Sequence, residues 1–213
     1  MTGVIIPGPM GRIEARYQVQ NSPDAPVALI LHPHPLYGGT MNNKVTYMLY
    51  HTFFRKGFHV CRFNFRGIGK SSGTFDNGEG ELSDAATVLD WLRARHPNAA
   101  HYWIAGFSFG AWITMQLLMR RPEIEGFVCV APPTNKYDFN FLAPCPVSGQ
   151  ILQGTADEIV DPSTVEGLVN KLSKQKNIQI NLELIENANH FFPDHIQNLS
   201  ERVFAYLEQR LAV

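Results

Sequence analysis

The stretch Tyr102-Trp103-Ile104-Ala105-Gly106-Phe107-Ser108-Phe109-Gly110-Ala111-Trp112-Ile113 decides the fold. Its first six residues read as a buried strand, and a helical pattern from about Phe109 to Arg120 follows with no intervening loop. Gly106-Phe107-Ser108-Phe109-Gly110 therefore falls on a sharp strand-to-helix turn, the setting in which Gly-x-Ser-x-Gly lifts a serine hydroxyl clear of a sheet. Such a turn strains the serine backbone, and the positions two away on either side must be free of side chains that would collide. As a bare pattern it would arise by chance in roughly one chain in fifteen of this size, so the rest of the chain must supply partners.

Working outward from that stretch, Val27 to Leu31 before it is a continuous aliphatic run, as a strand covered on both faces requires, and Phe58 to Phe63 reads as the next strand. Phe127 to Ala131, Gly149 to Leu152 and Ile178 to Ile185 after it also read as strands. Helical spacing joins them. Val45, Met48, Leu49 and Phe53 mark one helix, stopped by Gly57, and Leu82, Ala85, Ala86, Leu89 and Leu92 another, ending before Pro97. Val165, Leu168, Val169 and Leu172 mark a third, and Ile196, Leu199, Val203 and Leu207 a last. Val4 to Ile6 and Ile13 to Val19, separated by Pro7-Gly8-Pro9-Met10-Gly11, suggest an N-terminal hairpin. The alternation predicts a three-layer α/β domain with a mostly parallel sheet, and ligand chemistry on loops at the carboxyl ends of the strands. No repeat or linker divides the chain, so residues 1–213 are expected to form a single domain.

A serine hydroxyl needs a base within hydrogen-bond reach and a third group that fixes the base. Past the strand ending near Gly154 stands Thr155-Ala156-Asp157-Glu158-Ile159-Val160-Asp161, and past the strand ending near Ile185 stands Asn187-Ala188-Asn189-His190-Phe191-Phe192. Serine, then acid, then histidine, each just beyond a strand, is the chain order of a hydrolytic triad on this kind of sheet. Ser108 is the candidate nucleophile, His190 the base and Asp157 the acid. Glu158 and Asp161 compete with Asp157, which stands nearest the strand end.

An oxyanion would be held by two backbone N–H groups. One is assigned to Phe109, the first residue of the helix. The other belongs to the loop His32-Pro33-His34-Pro35-Leu36-Tyr37-Gly38-Gly39, where Pro33 and Pro35 have no N–H to give; His34 is the first choice and Leu36 the second. A metal reading of His32 and His34 lacks a third ligand at useful spacing and a His-Glu-x-x-His motif, so neither metal nor cofactor is expected. Arg66-Gly67-Ile68-Gly69-Lys70-Ser71 lacks the spacing of a phosphate-binding loop and reads as a tight turn edging the site. Trp91, Trp103 and Trp112 read as core residues.

Together His32 to Lys44, Phe63 to Ser71, Gly106 to Gly110, the Asp157 loop and Asn189-His190-Phe191-Phe192 resemble the small, lid-poor α/β-hydrolases related to dienelactone hydrolases and short-chain esterases. The resemblance spans nearly the whole chain. It implies the α/β-hydrolase fold, with Ser108, Asp157 and His190 in the three catalytic roles. The sequence departs from those relatives in two places. Dienelactone hydrolases use a cysteine nucleophile where serine stands here, and the His-Gly that often opens the oxyanion loop is His32-Pro33.

Charge sets the expected partners. Lys plus Arg number 18 against 19 Asp plus Glu, with no basic block, which argues against nucleic acid and against an acidic membrane surface. No apolar run approaches the ~20 residues that span a bilayer, and Met1 to Gly11 lack the pattern of a signal peptide, so a cytoplasmic location is expected. Cys61, Cys129 and Cys145 are odd in number and lie mostly in apolar runs, as reduced structural thiols do. The expected partner is a small-molecule ester, cleaved through an acyl-enzyme. Thioester or amide hydrolysis would use the same residues, and a binding protein that keeps the fold without the chemistry is the rival of another class. Pro132, Pro133, Pro144 and Pro146 leave little of the segment between Ala131 and Val147 able to form a lid, so the site is expected to be open and suited to short acyl chains.

Overall fold

The computed structural model describes residues 2–212. An N-terminal hairpin, β1 (Thr2–Gly8) and β2 (Gly11–Gln18), precedes the alternating part of the chain. That part runs β3 (Val27–Leu31), α1 (Lys44–Arg55), β4 (His59–Phe63), α2 (Glu79–Arg95), β5 (Tyr102–Phe107), α3 (Phe109–Leu118), β6 (Ile124–Val130), β7 (Gly149–Gly154), α4 (Pro162–Leu172), β8 (Ile180–Ile185) and α5 (Ile196–Leu211). The eight strands form one sheet in the order β1-β2-β4-β3-β5-β6-β7-β8. β1 and β2 pair antiparallel, β2 joins β4 antiparallel, and all later pairs are parallel.

Pleating explains why β3, β5 and β6 are apolar on both faces. Alternate side chains enter two cores, one on each face of the sheet. Leu29, Phe63, Ile104, Cys129 and Ile151 pack with α2, α3 and α4, whereas Ala28, Ile30, Val60, Ala105, Val128 and Leu152 pack with α1 and α5. Helix starts are set locally. Asn43 Oδ1 accepts from the Val45 and Thr46 amides at the head of α1, and Asp161 Oδ1 accepts from Ser163 N–H at 2.9 Å ahead of Pro162 in α4. At α2 the Glu81 side chain reaches back to Gly78 N–H at 2.8 Å, which begins the helix at Glu79, ahead of the apolar pattern from Leu82.

Several sequence expectations shift in detail. β6 begins at Ile124 instead of Phe127, because it pairs over a longer register with β5. Trp103 is a core residue, but Trp91 and Trp112 are only half-buried. Trp112 donates through Nε1 to Asp138 O and stacks on Tyr137, with ring centroids 4.2 Å apart. The turn from Arg66 to Ser71 is held by a buried pair in which the Arg66 guanidinium donates to both Asp84 oxygens at 3.0 and 2.8 Å. Cys61, Cys129 and Cys145 are all buried free thiols.

The strand order reverses at β3, whose neighbours β4 and β5 are reached by crossovers on opposite faces of the sheet. Loops leaving the carboxyl ends of β3 and β5 therefore diverge and leave a crevice between them. The loop from His32 to Gly39 and the turn at Ser108 flank it.

Candidate active site

Ser108 adopts φ 53° and ψ −119°, a backbone conformation that L-residues avoid. The strained turn is locked by Ser108 N–H donating to Val130 O at 2.9 Å and by Ala111 N–H donating to Ser108 O at 2.8 Å. The two flanking glycines are required by contact. A Cβ at Gly106 would lie 2.3 Å from Gly110 O, and one at Gly110 would lie 2.6 Å from both Leu31 O and His32 O.

The loops after β7 and β8 meet beside this turn. Thr155 N–H donates to Ile185 O, Ala156 N–H to Ala188 O, and Asn187 N–H to Thr155 Oγ1 at 2.8 Å. These bonds place His190 against both partners expected from the sequence. Its Nε2 lies 3.1 Å from Ser108 Oγ, and its Nδ1 lies 2.8 Å from Asp157 Oδ2. The imidazole also packs against the Phe107 ring at 5.2 Å between centroids.

Asp157 is buried and saturated with donors. Oδ1 accepts from the Ile159 and Val160 amides at 2.9 and 2.8 Å, and Oδ2 accepts from Gln153 Nε2 at 3.0 Å as well as from His190. Burial pushes the Asp157 carboxyl up, but the hydrogen bonds from His190, Val160 N–H and Gln153 outweigh it, and its pKa lies below the ordinary carboxylate value. Of the two competing acids, Glu158 is exposed and Asp161 is occupied as the cap of α4. Gln153 went unnoticed in the sequence because it sits within an apolar strand and carries no motif.

Phe109 N–H stands at the head of α3, where the helix dipole adds positive potential. In the loop after β3, Leu36 N–H donates to His34 Nδ1 at 3.2 Å, and the Tyr37 and Gly39 amides both donate to His34 O. Leu36 is thus engaged, and it is absent from the cavity wall. The His34 and Phe109 amides meet no acceptor among the described residues, and both residues line the cavity. His32, which opens the loop, is wholly buried. Its Nδ1 donates to Pro33 O at 2.6 Å and its Nε2 accepts from Phe65 N–H at 3.0 Å, so neither ring nitrogen is available to a ligand.

A cavity of about 480 Å³ opens over Ser108. Its walls include Tyr37, Phe109, Tyr137, Ile159 and Phe191, together with Lys136. Tyr137 and Lys136 belong to the proline-rich connection after β6, which holds only a short 3-10 turn at Asn140–Leu142. The connection therefore forms a wall and no helical cover. Sequence reasoning missed Lys136, Tyr137 and Phe191 as lining residues, since no periodicity says which way a loop side chain points. His190 being followed by an exposed Phe191 and a buried Phe192 is the one local hint.

This sheet, with its strand-to-helix serine turn and its late acid and histidine loops, defines a small α/β hydrolase. The chain belongs to the X-Pro dipeptidyl-peptidase (S15) family, whose model matches residues 13–193. A protein of unknown function from Agrobacterium tumefaciens superposes with a TM-score of 0.97 at 54% identity, over 99% of this chain and 97% of that one. An α/β serine hydrolase without lid from Xanthomonas campestris superposes with a TM-score of 0.88 at 32% identity, over 99% and 94% of the two chains. The lysophosphatidylserine lipase of Gallus gallus is 30% identical over 159 residues, which cover 72% of this chain and 40% of that protein. Among the described residues no helix is long and apolar enough to cross a membrane.

Proposed function

We propose that this protein is a serine hydrolase that cleaves small carboxylic esters through an acyl-enzyme at Ser108. The observation that carries the reading is the unbroken chain from Ser108 Oγ through His190 to Asp157, at 3.1 and 2.8 Å. In this mechanism His190 Nε2 takes the hydroxyl proton as Ser108 Oγ attacks the carbonyl carbon. It then returns the proton to the leaving oxygen as the C–O bond breaks. Water repeats the attack on the acyl-enzyme, gives its proton to His190, and Ser108 leaves with that proton restored. Asp157 holds the imidazole with Nδ1 as donor. The amides of Phe109 and His34 meet the charge that develops on the carbonyl oxygen.

The family name raises peptide hydrolysis as the second reading. A peptidase that removes dipeptides would need to hold a cationic α-amino group, which calls for carboxylates in the cavity. Among the described residues lining it there is no Asp or Glu, and Lys136 has the wrong sign. Ester hydrolysis is favoured on that ground, and the lipase relative is itself named for cleaving an ester.

The test is a fluorophosphonate probe together with a neutral ester such as 4-nitrophenyl butyrate. Labelling once, at Ser108, with loss of both labelling and turnover in Ser108→Ala, is the expected result. Undiminished labelling or turnover of Ser108→Ala would sink the assignment.

A further inference from the structure

The triad and the oxyanion amides leave Lys136 without a task, although it is the one Lys or Arg among the described residues lining the cavity. Its backbone is pinned. The Lys136 and Tyr137 amides both donate to Pro133 O, at 3.0 and 3.1 Å, closing a turn directly after Pro132-Pro133. Asn135 Nδ2 donates to Ile159 O at 2.9 Å, which ties the turn to the Asp157 loop, and Thr134 Oγ1 meets Thr164 Oγ1 of α4 at 2.7 Å. Tyr137, next in sequence, stacks on Trp112 and packs against Phe109. The segment that takes the place of a lid is thus braced on three sides, and it brings an ammonium to the mouth of the site.

That ammonium forms no ion pair with a carboxylate among the described residues. Acids of the neighbouring segments have other partners: Glu81 accepts from the Asp76 and Gly78 amides, Asp138 from Asn140 N–H, and Asp157 from His190. The charge is felt inside the cavity, because His34 is kept below its ordinary pKa first by burial and then by Lys136. With Nδ1 of His34 accepting from Leu36 N–H, the proton of that neutral ring resides on Nε2. Lys136 is itself exposed, so water screens its charge, but with no carboxylate to compensate it the cavity rim keeps a positive potential that an anion can use.

We propose that Lys136 is a specificity-determining residue, and that the substrate is an ester bearing an anionic group, carboxylate or phosphate, a few bonds from the scissile carbonyl. The inference rests on the esterase reading for the word ester, but the anion site itself can be tested without turnover.

Two matched pairs distinguish where the anion sits. Mono-4-nitrophenyl glutarate against 4-nitrophenyl valerate places it on the acyl side; valeroyl glycerol 3-phosphate against monovalerin places it on the alcohol side. In at least one pair the native protein should favour the anionic member in kcat/KM by about two- to fivefold, as a solvent-exposed charge-assisted contact gives. Lys136→Met should remove that preference, Lys136→Arg should retain most of it, Lys136→Glu should reverse it, and 0.5 M NaCl should weaken it. A preference equal in the native protein and Lys136→Met in both pairs, or none at all in either, would overturn the proposal. Calorimetric titration of glutarate and of glycerol 3-phosphate into Ser108→Ala, with and without Lys136→Met, reads the anion site with no chemistry. If no ester is turned over but Lys136→Met weakens that binding, the esterase reading fails and the anion site stands. Binding that Lys136→Met leaves unchanged for both ligands overturns the anion site.

Discussion

His32 Nε2 accepts the Phe65 amide proton at 3.0 Å in a fully buried position, and so fastens the loop after β3 to the end of β4. The bond needs an unprotonated Nε2, and Nδ1 is already donating to Pro33 O. Burial pushes the His32 pKa down to about 3, against the weaker upward pull of that bond to Pro33. A depressed histidine stabilises the fold fully above its unfolded value, near 6.5, and progressively less as pH falls toward 3, because the unfolded chain binds a proton that the folded one refuses.

Urea unfolding at pH 7, 6 and 5 checks this. Below pH 6.5 His32 should cost the native protein about 1.4 kcal/mol per pH unit, with His96, lowered to about 4 chiefly by burial, adding a similar slope. His32→Phe should be less stable at pH 7 by about 1–3 kcal/mol, since the Phe65 amide loses its acceptor, yet decline less steeply on acidification. A decline as steep as that of the native protein would show that His32 is not a source of the acid sensitivity.

The two acids of the loop after β7 should separate cleanly. Asp157→Asn is expected to lower kcat by roughly 10³ to 10⁴, because an amide in place of the carboxylate no longer enforces Nδ1–H on His190. Asp161→Asn should change kcat little, asparagine being a comparable helix cap. Steady-state rates on one neutral ester decide it, and the reverse ranking would move the orienting role to Asp161.

On the esterase reading, the short connection after β6 should limit the length of the acyl chain. Each buried methylene is worth about 0.8 kcal/mol, so kcat/KM should climb with acyl length only while the chain stays inside the cavity. We expect the climb to stop at about six carbons, with no activation by lipid droplets. A rise continuing to 4-nitrophenyl palmitate would require a groove beyond the cavity, and the exposed Leu36, Tyr37 and Phe191 would be the residues to examine.

What the sequence determined by itself was the fold and the order of its chemistry. Strands buried on both faces must be mostly apolar, helices packed on one side must be apolar on one stripe, and the Ser108 turn excludes side chains at Gly106 and Gly110; each requirement leaves a local mark. Ser108, Asp157 and His190 were legible because each follows a strand directly, where few residues separate the side chain from the rigid sheet. Tertiary structure alone decided that Leu36 N–H is taken up by His34 Nδ1 and that Lys136 and Tyr137 line the cavity. Those outcomes depend on contacts between loops far apart in sequence: Asn135 with Ile159, Thr155 with Asn187, His32 with Phe65. A loop residue carries no periodicity, and its direction is fixed by the partner it meets only once the chain has folded.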